Sequence, residues 1–318
     1  MVTSRTQGPR VSIGLPVYNG ERYLSAALDS LLKQTFDDFE LIICDNASTD
    51  KTETLCRSYA QRDRRIRYRR NAVNHGAAKN YRLAFEHSSG EYFRWAAYDD
   101  LVAPDLLARC VEVLDREPSV VLAYPKTRLL DQWGRVISDY EDGLHLQSSK
   151  ASERFVQLLR SLRLCNAVYG LIRAPVLRRT ALLGSYIGSD GPLLAELTLY
   201  GKFFEIPDSL FYRRQHPAAF SSQKTTTQLL RFYEPQSRRQ TSLSAWRHLL
   251  AHLAAIRRAP LSIAEKTRIY RFLVRNTISS RGVYAGELAT LVRGILHQQR
   301  PAQVAALTAR RSSDKSEH

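Results

Sequence analysis

Over its first hundred residues the chain alternates short β-rich runs with stretches of helical period, and few folds accommodate that rhythm. Four runs read as strands: Val11 to Leu15, Phe39 to Cys44, Ile66 to Arg70 and Glu91 to Ala96. Between them, Glu21 to Gln34 carries Leu24, Leu28, Leu31 and Leu32 on one face, and Thr52 to Arg62 and Ala77 to His87 complete the helical set. Each intervening stretch is long enough for the right-handed crossover that joins two parallel strands. The expected fold class is therefore α/β, with a mixed, mainly parallel sheet flanked by helices.

Beyond Asp100 the rhythm changes. The sequence predicts a helix from Pro104 to Arg116, a strand at Val120 to Tyr124 and a hairpin turning near Gln132 to Gly134. A helix at Ser152 to Leu162, a strand around Ala167 to Ile172, a helix from Gly191 to Tyr200 and a strand pair through Phe203 to Arg213 follow. From Ser221 onward no strand is evident. Trp246, Leu249, Leu250 and Leu253, then Ile269, Phe272 and Leu273, then Tyr284, Leu288, Leu291 and Ile295 recur at helical spacing. The expected organisation is an α/β domain over 1–220 and a basic helical C-terminal extension over 221–318, whose tail from Arg310 is polar enough for disorder.

Charge sharpens that division. Of the formal net charge of +16, most lies in Phe211 to His318, which holds 19 Lys and Arg against 5 Asp and Glu. Trp246, Tyr270, Phe272 and Tyr284 interleave with these cations, which raises a non-catalytic nucleic-acid binder as one reading. The aromatics sit at helical spacing among apolar residues, so core packing explains them better, and no nucleic-acid partner is expected. An anionic membrane is the other acidic surface available to Arg231, Arg238, Arg239, Arg247, Arg257, Arg258, Arg268, Arg271 and Arg275. No apolar run reaches spanning length and Met1 to Arg10 lacks an apolar leader, so the expected location is cytoplasmic, with peripheral contact at the inner membrane face.

Several chemistries are excluded by what the sequence lacks. Cys44, Cys56, Cys110 and Cys165 form no C-x-x-C pair and read as reduced, buried thiols. His248 and His252 lie four apart, but no Glu follows His248 and no third ligand is near, so no zincin site is expected. Neither a G-x-G-x-x-G dinucleotide loop nor a G-x-x-x-x-G-K-[ST] phosphate loop is present.

The strongest chemical signal is Tyr98-Asp99-Asp100, directly after the fourth strand. In an open α/β sheet ligands bind at the strands' C-terminal edge, and paired carboxylates there can hold a divalent cation on two phosphates. Such an ion neutralises charge on a leaving diphosphate. Helix capping by the same two acids is the alternative. The first strand ends at that edge in Pro16-Val17-Tyr18-Asn19-Gly20, and the second in Cys44-Asp45-Asn46-Ala47-Ser48-Thr49-Asp50. There Asp45 could accept from a base imide and Ser48 could cap the next helix, although such residues also simply make turns.

With Asn74-His75-Gly76, Lys79-Asn80 and Gly90-Glu91-Tyr92, these segments fall in an order that resembles family 2 glycosyltransferases of the GT-A fold, over roughly residues 11 to 130. The resemblance implies that Pro16, Val17, Tyr18, Asn19, Asp45 and Asn46 line the nucleotide, with Pro16, Tyr18 and Asp45 bordering the nucleoside. It places Lys79 near the base or the phosphates, Asp100 on the metal and Asp99 toward the donor's ribose or sugar. Where the family commonly shows a further acid, this chain has Trp95-Ala96-Ala97-Tyr98, a reduced D-D form of the motif.

The second half supplies Gly188-Ser189-Asp190-Gly191, where the family carries an acid that serves as base. Asp190 is the expected catalytic residue; an N-cap role is its alternative, and Glu196 is the fallback base. In Arg213-Arg214-Gln215-His216-Pro217, the resemblance has His216 completing the metal site and Arg213 and Arg214 facing the diphosphate. The implied cofactor is Mn2+ or Mg2+. The implied activity is inverting transfer from a nucleotide-sugar donor, UDP-sugar favoured, to a hydroxyl of a glycan, glycolipid, lipid-linked or cell-envelope acceptor. A sugar nucleotidyltransferase is the enzymatic alternative, but its Gly-rich phosphate turn is missing from Pro16 to Gly20.

Overall fold

The computed structural model describes residues 8–217, 219, 222, 225–236 and 242–293. Its first strands are β1 (Val11–Val17), β2 (Phe39–Asp45), β3 (Ile66–Arg70) and β4 (Tyr92–Trp95), joined by α1 (Leu24–Leu32), α2 (Thr52–Arg62) and α3 (Ala77–Glu86). All three pairings among these strands are parallel, with β1 between β2 and β4 and β3 outside β2. Both β1 and β2 are buried along their whole length, which their apolar runs dictate, since a parallel strand covered on both faces has no polar side to show.

The second half adds β5 (Leu101–Val102), α4 (Leu106–Arg116), β6 (Val120–Leu130), β7 (Val136–Tyr140), α5 (Ala151–Ser161), β8 (Leu171–Arg173), α6 (Ala174–Leu177), α7 (Asp190–Thr198) and β9 (Lys202–Arg214). Among the described residues the sheet has nine strands in the order β3-β2-β1-β4-β8-β6-β9-β5, with β7 paired to β6. Strand β8 runs antiparallel to β4 and β6, β9 runs parallel to β6, and β5 pairs antiparallel with the far end of β9. The expected class, mixed and mainly parallel with flanking helices, is the one observed.

Three elements differ from the sequence reading. The strand pair expected through Phe203 to Arg213 is one strand, β9, whose register against β6 jumps from Ile206 opposite Pro125 to Ser209 opposite Lys126. Pro207 and Asp208, which look like a turn in sequence, form the bulge that absorbs this jump. The strand expected at Ala167 to Ile172 begins instead as a 3₁₀ turn at Asn166–Tyr169, leaving β8 only three residues. The two-residue β5 is too short to carry a periodic signal, yet it fixes where Asp100 points.

Helices cover both faces. Alternate residues of β1 and β2 (Val11, Ile13, Leu15; Phe39, Leu41, Ile43) pack with Leu24, Leu28, Leu106 and Leu107 of α1 and α4. On the other side Phe93 and Trp95 of β4 join Phe85, Phe155, Leu158, Leu193 and Leu194. That second core continues into α9 (Ser244–Arg258) and α10 (Ile263–Ser279), which follow α8 (Thr226–Tyr233). Ile256 and Ile269 are both fully buried there, and each such side chain contributes about 2 kcal/mol by its burial. Helices α9 and α10 of the C-terminal extension therefore share a core with the sheet and its flanking helices. Residues 281–293 are also helical, and Ser221, Arg238, Arg239, Ile295 and the tail from Arg310 lie outside the described residues.

Candidate active site

The C-terminal ends of β1 and β2 are laced to each other by side-chain to backbone bonds. Asn19 Oδ1 accepts from Thr49 N–H at 2.8 Å, Ser48 Oγ accepts from Asn19 N–H at 3.0 Å, and Thr52 Oγ1 accepts from Gly20 N–H at 2.8 Å. Pro16 and Val17 are buried beneath this lattice, while Tyr18 stands 43 % exposed above it. Of the four residues expected to line the nucleotide from β1, Tyr18 and Asn19 are thus the ones at the surface.

Asp45 is fully buried. Its Oδ1 accepts from Ser48 N–H at 2.9 Å and its Oδ2 from the Tyr68 hydroxyl at 2.8 Å. Asn46 builds the adjoining loop: its Nδ2 donates to Asn74 Oδ1 at 2.7 Å, and its Oδ1 accepts from Asn71 Nδ2 and His75 N–H, each at 3.0 Å. Gly76 closes that loop at φ 83°, where an added Cβ would come within 1.9 Å of the Tyr233 carbonyl oxygen. Lys79, one turn into α3, is exposed, with Nζ 3.5 Å from His75 Nδ1. Asp45 and Asn46 therefore hold the loops, and Lys79 presents the free-standing charge.

The two acids after β4 have different surroundings. Asp99 Oδ2 lies 2.8 Å from His216 Nε2, and the imidazole packs 4.7 Å from the Tyr23 ring. Asp100 leads into β5, and the β5 to β9 pairing turns its carboxylate onto β9, where Oδ1 accepts from Arg214 N–H at 2.8 Å. Asp100 is buried, and burial together with the neighbouring Asp99 charge pushes its carboxyl well above the ordinary carboxylate range. Asp100 was the acid expected on the metal and Asp99 the one expected toward the sugar; in the structure Asp99 is the one that faces His216. Among the described residues no group of three or more His, Cys, Asp or Glu side chains is arranged to hold a metal ion.

The arginines of β9 are occupied by the protein. Arg214 donates from Nε to the Asp99 carbonyl at 2.9 Å and stacks 4.9 Å over the Tyr23 ring. Arg213 Nη1 donates to Asn166 Oδ1 at 2.6 Å and to the Leu164 carbonyl at 3.0 Å. Through Arg213 the acid pair connects to the second half of the site, because its charge acts on Asp100 and also on Cys165. Burial and the nearby Asp190 charge raise the Cys165 thiol. Asp190 is the one residue of α7 that is not buried, at the mouth of a helix otherwise enclosed by the core, and its Oδ1 accepts from Gly191 N–H at 3.1 Å.

Other candidates find structural roles. Glu196, the fallback base, is 3 % exposed; its Oε1 accepts from Arg258 Nε and Nη2, each at 2.9 Å, and its Oε2 from Ala181 N–H, so it ties α9 to α7. His248 bonds the Ile187 carbonyl at 2.9 Å, and His252 packs edge-on to Phe155 with its pKa lowered by burial to about 4. All four cysteines are buried and free.

Sequence reasoning missed Tyr23, Asn166 and Asp142. Asp142 Oδ1 accepts from Asn166 N–H at 3.2 Å, and burial raises its carboxyl to about 7. Arg94 was missed as well: it is buried beneath the acids, and its Nε and Nη1 have no hydrogen-bond partner among the described residues. A single Arg amid Tyr92, Phe93 and Trp95 was the available signal, since a charge inside a central strand needs a reason.

Known proteins share sequence and fold with this chain. The sequence profile of glycosyl transferase family 2 matches residues 12–179. An uncharacterized glycosyltransferase of Rickettsia typhi is 33% identical over 158 residues, 49% of this chain and 48% of that protein. Chondroitin synthase of Escherichia coli is 30% identical over 131 residues, 41% of this chain and 19% of that protein. The chain thus spans about half of the first relative's length and much less of the second's. Among solved structures, S. aureus TarS in complex with UDP superposes with a TM-score of 0.60 at 20% identity, covering 86% of this chain and 73% of TarS. The mannosyltransferase PcManGT of Pyrobaculum calidifontis, in complex with GDP-Man and Mn2+, gives a TM-score of 0.50 at 18% identity, over 91% and 76% of the two chains. The fold is that of GT-A glycosyltransferases, and with its profile match covering more than half its length, the chain belongs to glycosyl transferase family 2.

Proposed function

We propose that the protein transfers a sugar, with inversion, from a nucleoside diphosphate donor, UDP-linked by preference, to a hydroxyl of a glycan, lipid-linked or cell-envelope acceptor, and that a divalent cation assists. The observation that carries this reading is the meeting of Asp99 and His216 at 2.8 Å beside the C-terminal ends of β1 and β4. UDP in TarS and GDP-Man with Mn2+ in PcManGT support the donor class.

The donor set fits such an ion. A carboxylate oxygen and an imidazole nitrogen are both donors that Mn2+ accepts, and such ions at phosphate sites usually take only one or two protein ligands. Asp99 and His216 would hold the ion, which would supply positive charge to the leaving diphosphate. Asp100, through the Arg214 N–H, fixes the end of β9 so that His216 stays opposite Asp99.

The remaining roles follow from position. Tyr18 offers an exposed ring to the base, and Lys79 an exposed ammonium to the base or the phosphates. Asp190, at the open end of α7, takes the proton from the acceptor hydroxyl as its oxygen bonds the anomeric carbon and the carbon–diphosphate bond breaks. Arg213 lies between the two halves and steadies both.

The test is a panel of nucleotide sugars, each incubated with Mn2+ and a mixture of glycan and lipid-linked acceptors, scored by release of free nucleoside diphosphate. Release from one UDP-sugar that depends on acceptor and stops with chelator supports the reading. Release of pyrophosphate from a nucleoside triphosphate and a sugar phosphate would replace it with nucleotidyl transfer.

A further inference from the structure

Helix α10 carries an apolar stripe on the side turned away from the protein. Ile263 is 85 % exposed, Val274 57 % and Ile278 59 %, although the same helix buries Ile269 and Leu273 in the core shared with α5. Successive helical residues turn by about 100°, so Val274 and Ile278 fall within about 60° of Ile263 and form one line. Half-buried Thr267 and Tyr270 lie in the same arc. Exposed Arg271 and Arg275 border this line on one side, and half-buried Lys266, whose Nζ donates to the Arg257 carbonyl at 3.1 Å, borders it on the other.

The surrounding charge is one-sided. Residues 244–293 contain nine Lys and Arg against two acids, Glu265 and Glu287. Both acids are engaged within the protein: Glu265 accepts from Ser152 N–H at 2.7 Å and from Arg268 at 2.6 Å, and Glu287 from Ala245 N–H at 3.0 Å. A second copy of the chain docking on this face would set cation against cation. Apolar residues centred between cations are instead the arrangement of a helix lying in the plane of an anionic lipid surface, with the apolar line at the acyl boundary and the cations among the phosphates. No described helix is long and apolar enough to cross a membrane, so contact through this face is in-plane.

We propose that the outward face of α10 docks the enzyme on an anionic membrane, with Ile263, Val274 and Ile278 entering the headgroup region and Arg271 and Arg275 pairing with lipid phosphates. The docking needs neither donor nor cation and goes beyond the transfer reading, so the two fail separately.

The test is sedimentation of the full chain with phosphatidylglycerol or phosphatidylcholine vesicles at low salt. The wild type is expected in the pellet with phosphatidylglycerol and in the supernatant with phosphatidylcholine. The double substitutions Ile263→Asn with Ile278→Asn, and Arg271→Glu with Arg275→Glu, are each expected to weaken binding about tenfold or more, and salt to release the wild type. All these side chains are exposed, so both variants should keep the wild-type melting temperature, which confirms their folding. Wild type remaining in the supernatant with both vesicles overturns the proposal. So does equal binding by the Asn double variant, which would reduce the attraction to charge alone. A wild-type dimer that this variant converts to monomer would assign the face to a second copy.

Discussion

Asp99 and His216, 117 residues apart in sequence, bring a carboxylate and an imidazole to 2.8 Å at the edge of the sheet. The meeting depends on two pairings that neither residue makes itself. Two-residue β5 holds the end of β9, and Asp100 accepts the Arg214 N–H next to that pairing. If this pair is the metal site, Asp99→Asn and His216→Ala should each abolish the additional thermal stabilisation that Mn2+ gives to UDP binding. Asp100→Asn keeps an oxygen for the Arg214 N–H and should retain that stabilisation at least in part. Melting curves with UDP, with and without Mn2+, decide between them; an Asp100→Asn loss beside an unaffected Asp99→Asn would return the metal to Asp100.

Asp190 and Glu196 sit on one helix with opposite expectations. Asp190→Asn should lower turnover by about a hundredfold or more at unchanged donor affinity, the scale expected for a lost general base. Glu196→Gln should leave the per-molecule turnover near wild type and lower stability by about 1 kcal/mol, because it weakens the bond between the buried Glu196 carboxylate and Arg258, whose own exposure screens the pair. Steady-state kinetics beside urea unfolding separates the two effects, and a reversed pattern would exchange the roles.

Arg94 is a charge kept where packing alone would favour an apolar side chain. Burial lowers its pKa to about 10, and Asp100 is one of the groups whose charge acts on it. Replacing a poorly partnered buried ion by an apolar residue of similar length is commonly neutral or stabilising. Arg94→Met should therefore leave the melting temperature unchanged or raise it, while weakening Mn2+-dependent donor binding. A drop of several degrees with donor binding intact would make Arg94 a purely structural residue.

Asp142 gives a pH signature. Its carboxyl is raised from an ordinary 3.8 to about 7, chiefly by burial. Between those values the folded state binds a proton that the unfolded chain releases, so this group's contribution to stability falls as pH rises through the window. Below 3.8 both states are protonated, and above about 7 both are ionised, leaving the folded state with the full cost of a buried charge. The difference in melting temperature between Asp142→Asn and wild type should grow in favour of the variant from acid to neutral pH. A difference independent of pH would show that the carboxyl ionises in the folded protein as it does in water.

What the sequence disclosed follows from where its signals are local. The runs Val11 to Leu15 and Phe39 to Cys44 are apolar because β1 and β2 are covered on both faces, so they could be read without a partner. The bulge at Pro207 and Asp208 resembled a turn because bulges and turns draw on the same residue types, and only the facing strand β6 distinguishes them. Asp99, Asp190 and His216 of the proposed site were singled out by the order of their motifs. Asn166 and Asp142 were not, since each is a single polar residue whose meaning comes from a contact 24 residues away. The bonds between Asp100 and the Arg214 N–H, and between Arg214 and the Asp99 carbonyl, were hidden for a related reason: a side chain that holds backbone in place has the same letter as one that holds a ligand.

The most direct test of the account is the melting temperature of the wild-type chain with saturating UDP, measured with Mn2+ and with chelator. A ligand that binds only the folded state at a hundred times its Kd adds about 2.7 kcal/mol of stability, enough to be seen in a melting curve. UDP is expected to raise the melting temperature in Mn2+, chelator to remove most of that rise, and Asp99→Asn to behave in Mn2+ as the wild type does in chelator. A UDP-induced rise of the same size with and without Mn2+, in both proteins, would contradict the central claim that Asp99 and His216 form a cation site for a nucleoside diphosphate.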